Sequence, residues 1–286
     1  MKVNSPISKI NLDGREFYVK RDDLIDPFLA GNKYRKLYTL LQTPKETYYK
    51  IISYGGTQSN AMLAISAMCK EKGWEFEYYT KPLSDTQKNL DYGNYYHSIK
   101  LGMKHIEVDY ELYRDVIASL SIGIDEKTFI IDQGGAVKSA RDGLKVLADE
   151  ILEENLPIKS IATPSGTGTT ALYLALALPE YKIYTTPAIG DVEYLKEQMS
   201  ALENIPTNLI ILEPTKKYHF AKPYEEFLTI YKKLLNCGIE FDLLYSCGMW
   251  KTLLEQTDEE ILYVHSGGVT GNESMLKRYS QKGFTL

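Results

Sequence analysis

The chain has 286 residues, 44% of them hydrophobic and 25% charged, with a formal net charge of −5. That is enough for a sizeable core in one large domain or two modest ones. The lysines form no basic block, which speaks against nucleic acid as a partner, and no apolar run reaches the roughly 18 residues of a membrane span.

Taken in chain order, the opening MKVNSPISKINLDG lacks the apolar segment of a signal peptide. REFYVKRD (15–22) reads as a strand and residues 32–42 as a helix. YYKIISYGG (48–56) is a strand running into a double glycine, and SNAMLAISAMCKEKG (59–73) is the helix after it. In that helix Ala61, Ile65, Met68 and Cys69 fall at helical spacing, with Gly73 as the stop. WEFEYYT is the next strand, NYYHSIKLGM a helix and KHIEVD a strand. The second half repeats the theme: TFIIDQGGA, the amphipathic ARDGLKVLADEILEEN, then IKSIATPSGTGTTALYLALAL as strand, glycine-rich loop and helix. YKIYTTPAIG, DVEYLKEQM, PYEEFLTIYKKLLNCG (closed by Gly238) and EEILYVHSGGVTGN follow. Strands separated by helices predict an α/β fold with mainly parallel sheets and right-handed crossovers. The three cysteines, Cys69, Cys237 and Cys247, are odd in number and lack metal-type spacing, so they read as reduced thiols in a cytoplasmic protein. The four histidines (His97, His105, His219, His265) do not cluster, no metal is assigned, and Trp74 and Trp250 read as packing residues.

In such sheets ligands sit at the carboxyl ends of strands. Four loops there are rich in Gly and small polar residues: 55–60, 133–138, 165–170 and 266–272. PSGTGTT (164–170) opens an apolar helix, whose first turn offers unpaired N–H groups and the positive end of its dipole. That suits a phosphate, although a plain turn with a Ser/Thr cap gives the same pattern. It is not a Walker A loop, because no Lys follows the second Gly. In SYGGTQSNA (53–61), Gln58, Ser59 and Asn60 stand at a helix start, where a substrate carboxylate would be held. In GNKYRKL (31–37), Lys33 has Arg35 and Lys36 close by. Most lysines are solvated charges, but one beside other cations has a lowered pKa and is a better amine nucleophile. A nucleophilic lysine, a phosphate cup and a carboxylate clasp together describe pyridoxal 5′-phosphate (PLP) and an amino-acid substrate.

GNKYRKL, SYGGTQSNA, GNYYHSIKLGM, PSGTGTTAL and YVHSGG come in an order that resembles the 1-aminocyclopropane-1-carboxylate (ACC) deaminase and D-cysteine desulfhydrase family, over roughly residues 15–272. The resemblance implies a two-domain tryptophan synthase β-like fold (PLP fold type II). Residues 1–36 with 136–286 would form the larger, PLP-binding domain and 37–135 the smaller. It also implies a homodimer. Lys33 matches the lysine that holds PLP as a Schiff base, and Lys36 a second basic residue. Ser59 matches the serine that contacts substrate near the reacting carbon, and Asn60 the asparagine on the cofactor's phenolic oxygen. Ser165, Gly166, Thr167, Gly168, Thr169 and Thr170 match the phosphate cup. Tyr245, and less closely Tyr218, match substrate-site tyrosines.

Two departures bear on substrate. The deaminases carry Glu where this chain has Ser246, and an apolar residue where it has Ser266. Desulfhydrase-type members tend to have hydroxyl residues at both places. A carboxylate at the pyridine nitrogen favours its protonated form, the stronger electron sink, whereas a serine there would leave it neutral, which suffices to eliminate a thiol. The resemblance therefore implies a deaminating lyase acting on a small amino acid, most simply D-cysteine to pyruvate, ammonia and sulfide, with Lys33 or a Tyr245 phenolate as base. ACC deaminase is the alternative. Other elimination or racemase chemistry, a PLP-holding protein without turnover, and an α/β protein for another phosphate ligand stay open.

Overall fold

The computed structural model describes residues 4–29, 31–135 and 139–285, so the end of the 133–138 loop, residues 136–138, lies outside the described residues. The chain begins with a hairpin absent from the sequence reading. β1 (Ile7–Leu12) and β2 (Arg15–Lys20) pair antiparallel. Asp13 and Gly14 turn between them at φ 52° and 85°. Two consecutive positive φ values match strand twist, and Asp-Gly is a favoured pair for them.

Next come β3 (Lys50–Tyr54), β4 (Glu75–Thr80), β5 (Lys104–Glu107) and β6 (Thr128–Ile131), a parallel sheet in the order β5-β4-β3-β6. β7 (Ser160–Ala162), β8 (Lys182–Thr185), β9 (Leu209–Ile211) and β10 (Leu262–Val264) join the hairpin in a second sheet, ordered β1-β2-β10-β7-β8-β9. Every pairing outside the hairpin is parallel. β7 and β10 are buried along their whole length, as strands covered on both faces must be.

The helices run α1 (Gly31–Lys36), α2 (Tyr38–Gln42), α3 (Asn60–Lys72), α4 (Asp85–Lys88), α5 (Gly93–Lys100) and α6 (Tyr113–Ser119) in the first half. α7 (Ala140–Glu153), α8 (Thr169–Ala177), α9 (Val192–Ser200), α10 (Glu225–Asn236), α11 (Ser246–Gln256) and α12 (Asn272–Gln281) follow. The helix expected over 32–42 is two pieces, because Leu37 leaves helical geometry at φ −90°, ψ 4°. α3 matches its expected span, capped by the Ser59 side chain at one end and by left-handed Gly73 at the other.

Three apolar clusters hold the molecule. One packs α7 and α8 on one face of the larger sheet through Leu144, Leu147, Leu172, Ile161 and Ile183. One packs α10, α11 and α12 on its other face, with Trp250 stacked on Tyr263 at 4.3 Å. The third joins α3 to the smaller sheet and includes Trp74. Both tryptophans are thus core residues. No helix among the described residues is long and apolar enough to cross a membrane.

Candidate active site

Lys33 stands on a short helix that is pinned from both sides. Gly31 has φ 58°, and a Cβ there would lie 2.0 Å from the Ser266 carbonyl oxygen, so only glycine fits. The amide of Asn32 donates to that same oxygen at 3.2 Å. On the other side Arg35 is wholly buried and bonded to both Asp22 and Glu150. α7 crosses at Gly143, where a Cβ would lie 1.9 Å from the Arg35 carbonyl oxygen.

The half-buried Lys33 donates from Nζ to Asn32 Oδ1 at 3.1 Å. Its pKa is pushed down to about 8, chiefly by burial and partly offset by the charge of Asp242. The lowered value follows the sequence expectation, but the cause differs. Arg35 is neutralised by its two carboxylates, so removal of water, not a neighbouring cation, is what disfavours the ammonium. Lys36, one turn on, is buried and pushed well below its ordinary range by burial first and the Lys33 charge second. Its Nζ reaches the Gly134 carbonyl oxygen at 3.4 Å.

The start of α3 forms a second wall. Gly55 has φ 144°, and a Cβ on it would meet the Tyr78 hydroxyl at 2.7 Å. Ser59 Oγ accepts from the Met62 amide at 3.2 Å. Asn60 Oδ1 accepts from Asn94 Nδ2 at 2.8 Å, and Asn94 Oδ1 accepts from Thr270 Oγ1 at 2.8 Å. Asn94 also donates to the Gln58 carbonyl at 3.1 Å. Gly268 lies against Asn60: a Cβ there would be 2.3 Å from Asn60 Nδ2. Asn60 is thereby fixed between the two sheets' loops.

The loop from β7 to α8 is the third wall. Thr185 Oγ1 gives its proton to the Thr163 carbonyl at 2.8 Å, so Ser165 donates to Thr185 at 2.6 Å and its hydroxyl is already used. Thr167 and Thr169 hydroxyls bond each other at 3.0 Å. Thr170 Oγ1 is buried with no partner among the described residues. An orphaned buried hydroxyl at the first turn of a helix is what a phosphate would satisfy. Gly166 and Gly168 leave the space: a Cβ on Gly166 would be 3.3 Å from Tyr245 Cε1, and one on Gly168 2.3 Å from Met199 Cγ.

Tyr245 immediately precedes α11, in a turn held by a carboxylate three residues earlier. Asp242 Oδ1 accepts from the amides of Leu244 (3.1 Å) and Tyr245 (2.6 Å), and Ser246 Oγ donates to Oδ2. Burial raises the pKa of Asp242. Burial first, then the Asp242 charge, raises that of Tyr245. That disfavours the phenolate considered from sequence. Ser246 is wholly buried, and with its hydroxyl hydrogen engaged by Asp242 it offers any further partner lone pairs only. The Ser266 hydroxyl makes no bond among the described residues. The Tyr218 hydroxyl donates to Glu226 Oε1 at 3.1 Å, and its ring packs on Tyr224 and Phe227. With Tyr245 it lines a cavity of about 30 Å³ and packs against the same apolar cluster.

The structure thus sets Gly31 and Asn32, next to Lys33, against Ser266, Gly268 against Asn60, Gly166 against Tyr245, and Gly134 against Thr167, with Lys36 bonded to Gly134. Sequence reasoning missed Asp242, Asn94 and Thr270. For Asp242 the signal was an Asp four residues before the helix start at Ser246, placed to accept from the amides of the turn that leads into it. Among the described residues no group of His, Cys, Asp and Glu could hold a metal ion.

No protein-family model matches the chain. The chain is 26% identical over 288 residues to a putative 1-aminocyclopropane-1-carboxylate deaminase of Thermotoga maritima, covering 90% of each. It is 24% identical over 286 residues to a D-cysteine desulfhydrase of Salmonella typhi, covering 89% of this chain and 87% of that protein. Among solved structures, an ACC deaminase homologue superposes with a TM-score of 0.73 at 22% identity, over 96% of this chain and 94% of the other. The resemblance carried by the motifs is borne out by relatives bearing both names, and the fold is that of PLP fold type II enzymes.

Proposed function

We propose that the chain is a PLP-dependent deaminating lyase for a small amino acid, with D-cysteine desulfhydrase-like β-elimination as its reaction. The observation that carries the reading is Lys33: an amine whose pKa is held near 8, together with a helix start whose buried Thr170 hydroxyl lacks a partner. When bound, PLP supplies an electron sink for the carbanion formed at the substrate's α-carbon.

The chain's own residues do the rest. Lys33 would hold the cofactor covalently, and the Thr170 hydroxyl with the first amides of α8 would hold its phosphate. Asn60, already oriented by Asn94, would hydrogen-bond the phenolic oxygen. Ser266 has a hydroxyl that would be free to donate to the pyridine nitrogen, whereas the Ser246 hydroxyl already donates to Asp242. Gln58, Ser59 and Asn60 receive the substrate carboxylate. Lys33 would take the α-proton, its lowered pKa of about 8 making the neutral amine accessible. The Cβ–S bond breaks with its electron pair on sulfur, and Tyr245, kept as a neutral phenol, protonates the leaving sulfide. The 2-aminoacrylate left behind hydrolyses to pyruvate and ammonia. The reading includes the homodimer, the cytoplasmic setting and the division at 1–36 with 136–286 and 37–135.

A second reading, ring-opening deamination of ACC, has the higher-identity relative behind it. Against it stands the absence of a carboxylate at Ser246 and of an apolar residue at Ser266. A visible spectrum of the purified protein, alone and with D-cysteine or ACC, with keto-acid release followed in the same sample, decides between them. Pyruvate from D-cysteine supports the desulfhydrase reading, and 2-oxobutyrate from ACC alone transfers the assignment to the deaminase. Absence of a cofactor band even after added PLP overturns both.

A further inference from the structure

The carboxyl end of the smaller sheet holds a chamber of about 360 Å³ that the reaction above leaves unused. Its wall includes Thr57 on one side and Gln133 on the other. Thr57 leads directly into Gln58, Ser59 and Asn60. Gln133 leads into Gly134, which takes the Lys36 bond at 3.4 Å and lies against Thr167 of the phosphate loop. The chamber therefore adjoins the amino-acid site and shares its walls.

Among the described residues lining it, Lys81 is the only charged one. Its Nζ lies 5.6 Å from the Tyr110 ring centroid and 5.7 Å from that of Tyr113, and both rings also line the chamber. Lys81 is exposed and Tyr110 66% exposed, so the chamber is open to solvent, and the two aromatic faces attract the ammonium without neutralising it. No carboxylate pairs with Lys81 among the described residues, whereas nearby Lys88 is matched to Glu107 at 2.8 Å. Gln87 adds a polar group to the same wall.

We propose that this chamber is a subsite for the far end of a longer substrate: a cysteine S-conjugate whose sulfur substituent ends in a carboxylate received by Lys81. The proposal rests on the elimination reading and specifies its substrate class. The α-proton is removed, the Cβ–S pair leaves on sulfur, and the sulfur takes a proton. The conjugate then departs as a free thiol carrying the carboxylate, in place of sulfide, while pyruvate and ammonia form as before. A cysteine side chain alone is too small to use the chamber.

The test compares S-(2-carboxyethyl)cysteine, as each enantiomer, with its neutral carbamoyl isostere, using the PLP-loaded wild type, Lys81→Ala and Lys81→Glu. Binding is read by calorimetry and turnover by pyruvate release. The wild type is expected to prefer the carboxylate about fivefold or more. The preference should vanish in Lys81→Ala and reverse in Lys81→Glu. Equal binding of acid and amide by the wild type, or a preference that survives in both variants, overturns the subsite. Pyruvate from D-cysteine together with either of those results leaves the elimination reading standing. A carboxylate preference that depends on Lys81, with no pyruvate from any of these compounds, upholds the subsite and overturns the reaction.

Discussion

Arg35 donates to Glu150 through two hydrogen bonds of 2.8 Å, one from each terminal nitrogen, where neither side chain meets solvent. Asp22 takes the other edge of the guanidinium at 2.9 and 2.8 Å, and Lys20 reaches Glu150 at 3.0 Å. Two cations and two carboxylates thus balance inside the protein, and the helix that carries Lys33 is fastened to β2 and α7 by them.

Breaking one member of such a set strands the others without water. Arg35→Met is expected to cost about 3–5 kcal/mol of unfolding free energy, read by urea denaturation. Glu150→Gln keeps the shape and should cost less, but more than an exposed Glu→Gln change elsewhere. A loss under about 1 kcal/mol for Arg35→Met would mean the network does not anchor α1.

Gly143→Ala adds a methyl group 1.9 Å from the Arg35 carbonyl oxygen and 2.5 Å from Tyr38 Cβ. Alanine gains up to ~1 kcal/mol in helix propensity, yet overpacking costs typically ~1–3 kcal/mol and here has backbone to displace. The net expectation is destabilisation, with slower covalent capture of PLP because α1 shifts. Both are measurable, by denaturant midpoint and by growth of the cofactor's visible band.

The depressed pKa of Lys33 sets two pH dependences. The rate of covalent capture should climb as pH rises through about 8, where the amine becomes neutral. Stability of the cofactor-free protein should also gain over the same range. Between about 8 and the ordinary 10.5, the unfolded chain keeps a proton at this site that the folded chain has lost. Replacing Lys33 by Met should remove that gain and leave the part due to Lys36. An unchanged unfolding profile in Lys33→Met would contradict the burial account.

Asp242 raises the Lys33 pKa against the pull of burial. Asp242→Asn keeps a side chain able to cap α11 but removes the charge. The midpoint of capture rate against pH should therefore move below that of the wild type, with a stability loss of about 1 kcal/mol. A midpoint moved upward would mean that Asp242 does not act on Lys33 electrostatically.

The parts of the site legible in the sequence share one physical origin. Glycines after short apolar strands at 55–56, 166–168 and 267–268 mark places where backbone must turn tightly or approach another segment, and residues around a turn need no distant partner to be recognised. Asp-Gly at 13–14 carried the same kind of signal for the hairpin. Asp242 and Asn94 are different. Their effects depend on what folding brings beside them: Lys33, about whose charge Asp242 matters only because water is removed, and Thr270, which fixes the Asn94 amide. The cause of the Lys33 shift was misjudged for the same reason. GNKYRKL shows three cations together, but the carboxylates that neutralise Arg35 come from Asp22 and from Glu150 on α7. α11 was hidden because its start is set by the Asp242 side chain, and its first turn contains Gly248 packed near the Phe227 ring.

The central claim is that Lys33, not its buried neighbour Lys36, carries PLP. The protein would be loaded with PLP, reduced with borohydride to fix any lysine adduct, digested and mapped by mass spectrometry, for wild type, Lys33→Ala and Lys36→Ala. The account predicts one modified site, Lys33, in wild type and in Lys36→Ala, and neither adduct nor turnover in Lys33→Ala. An adduct on Lys36 in the wild type, or normal turnover by Lys33→Ala, would contradict it.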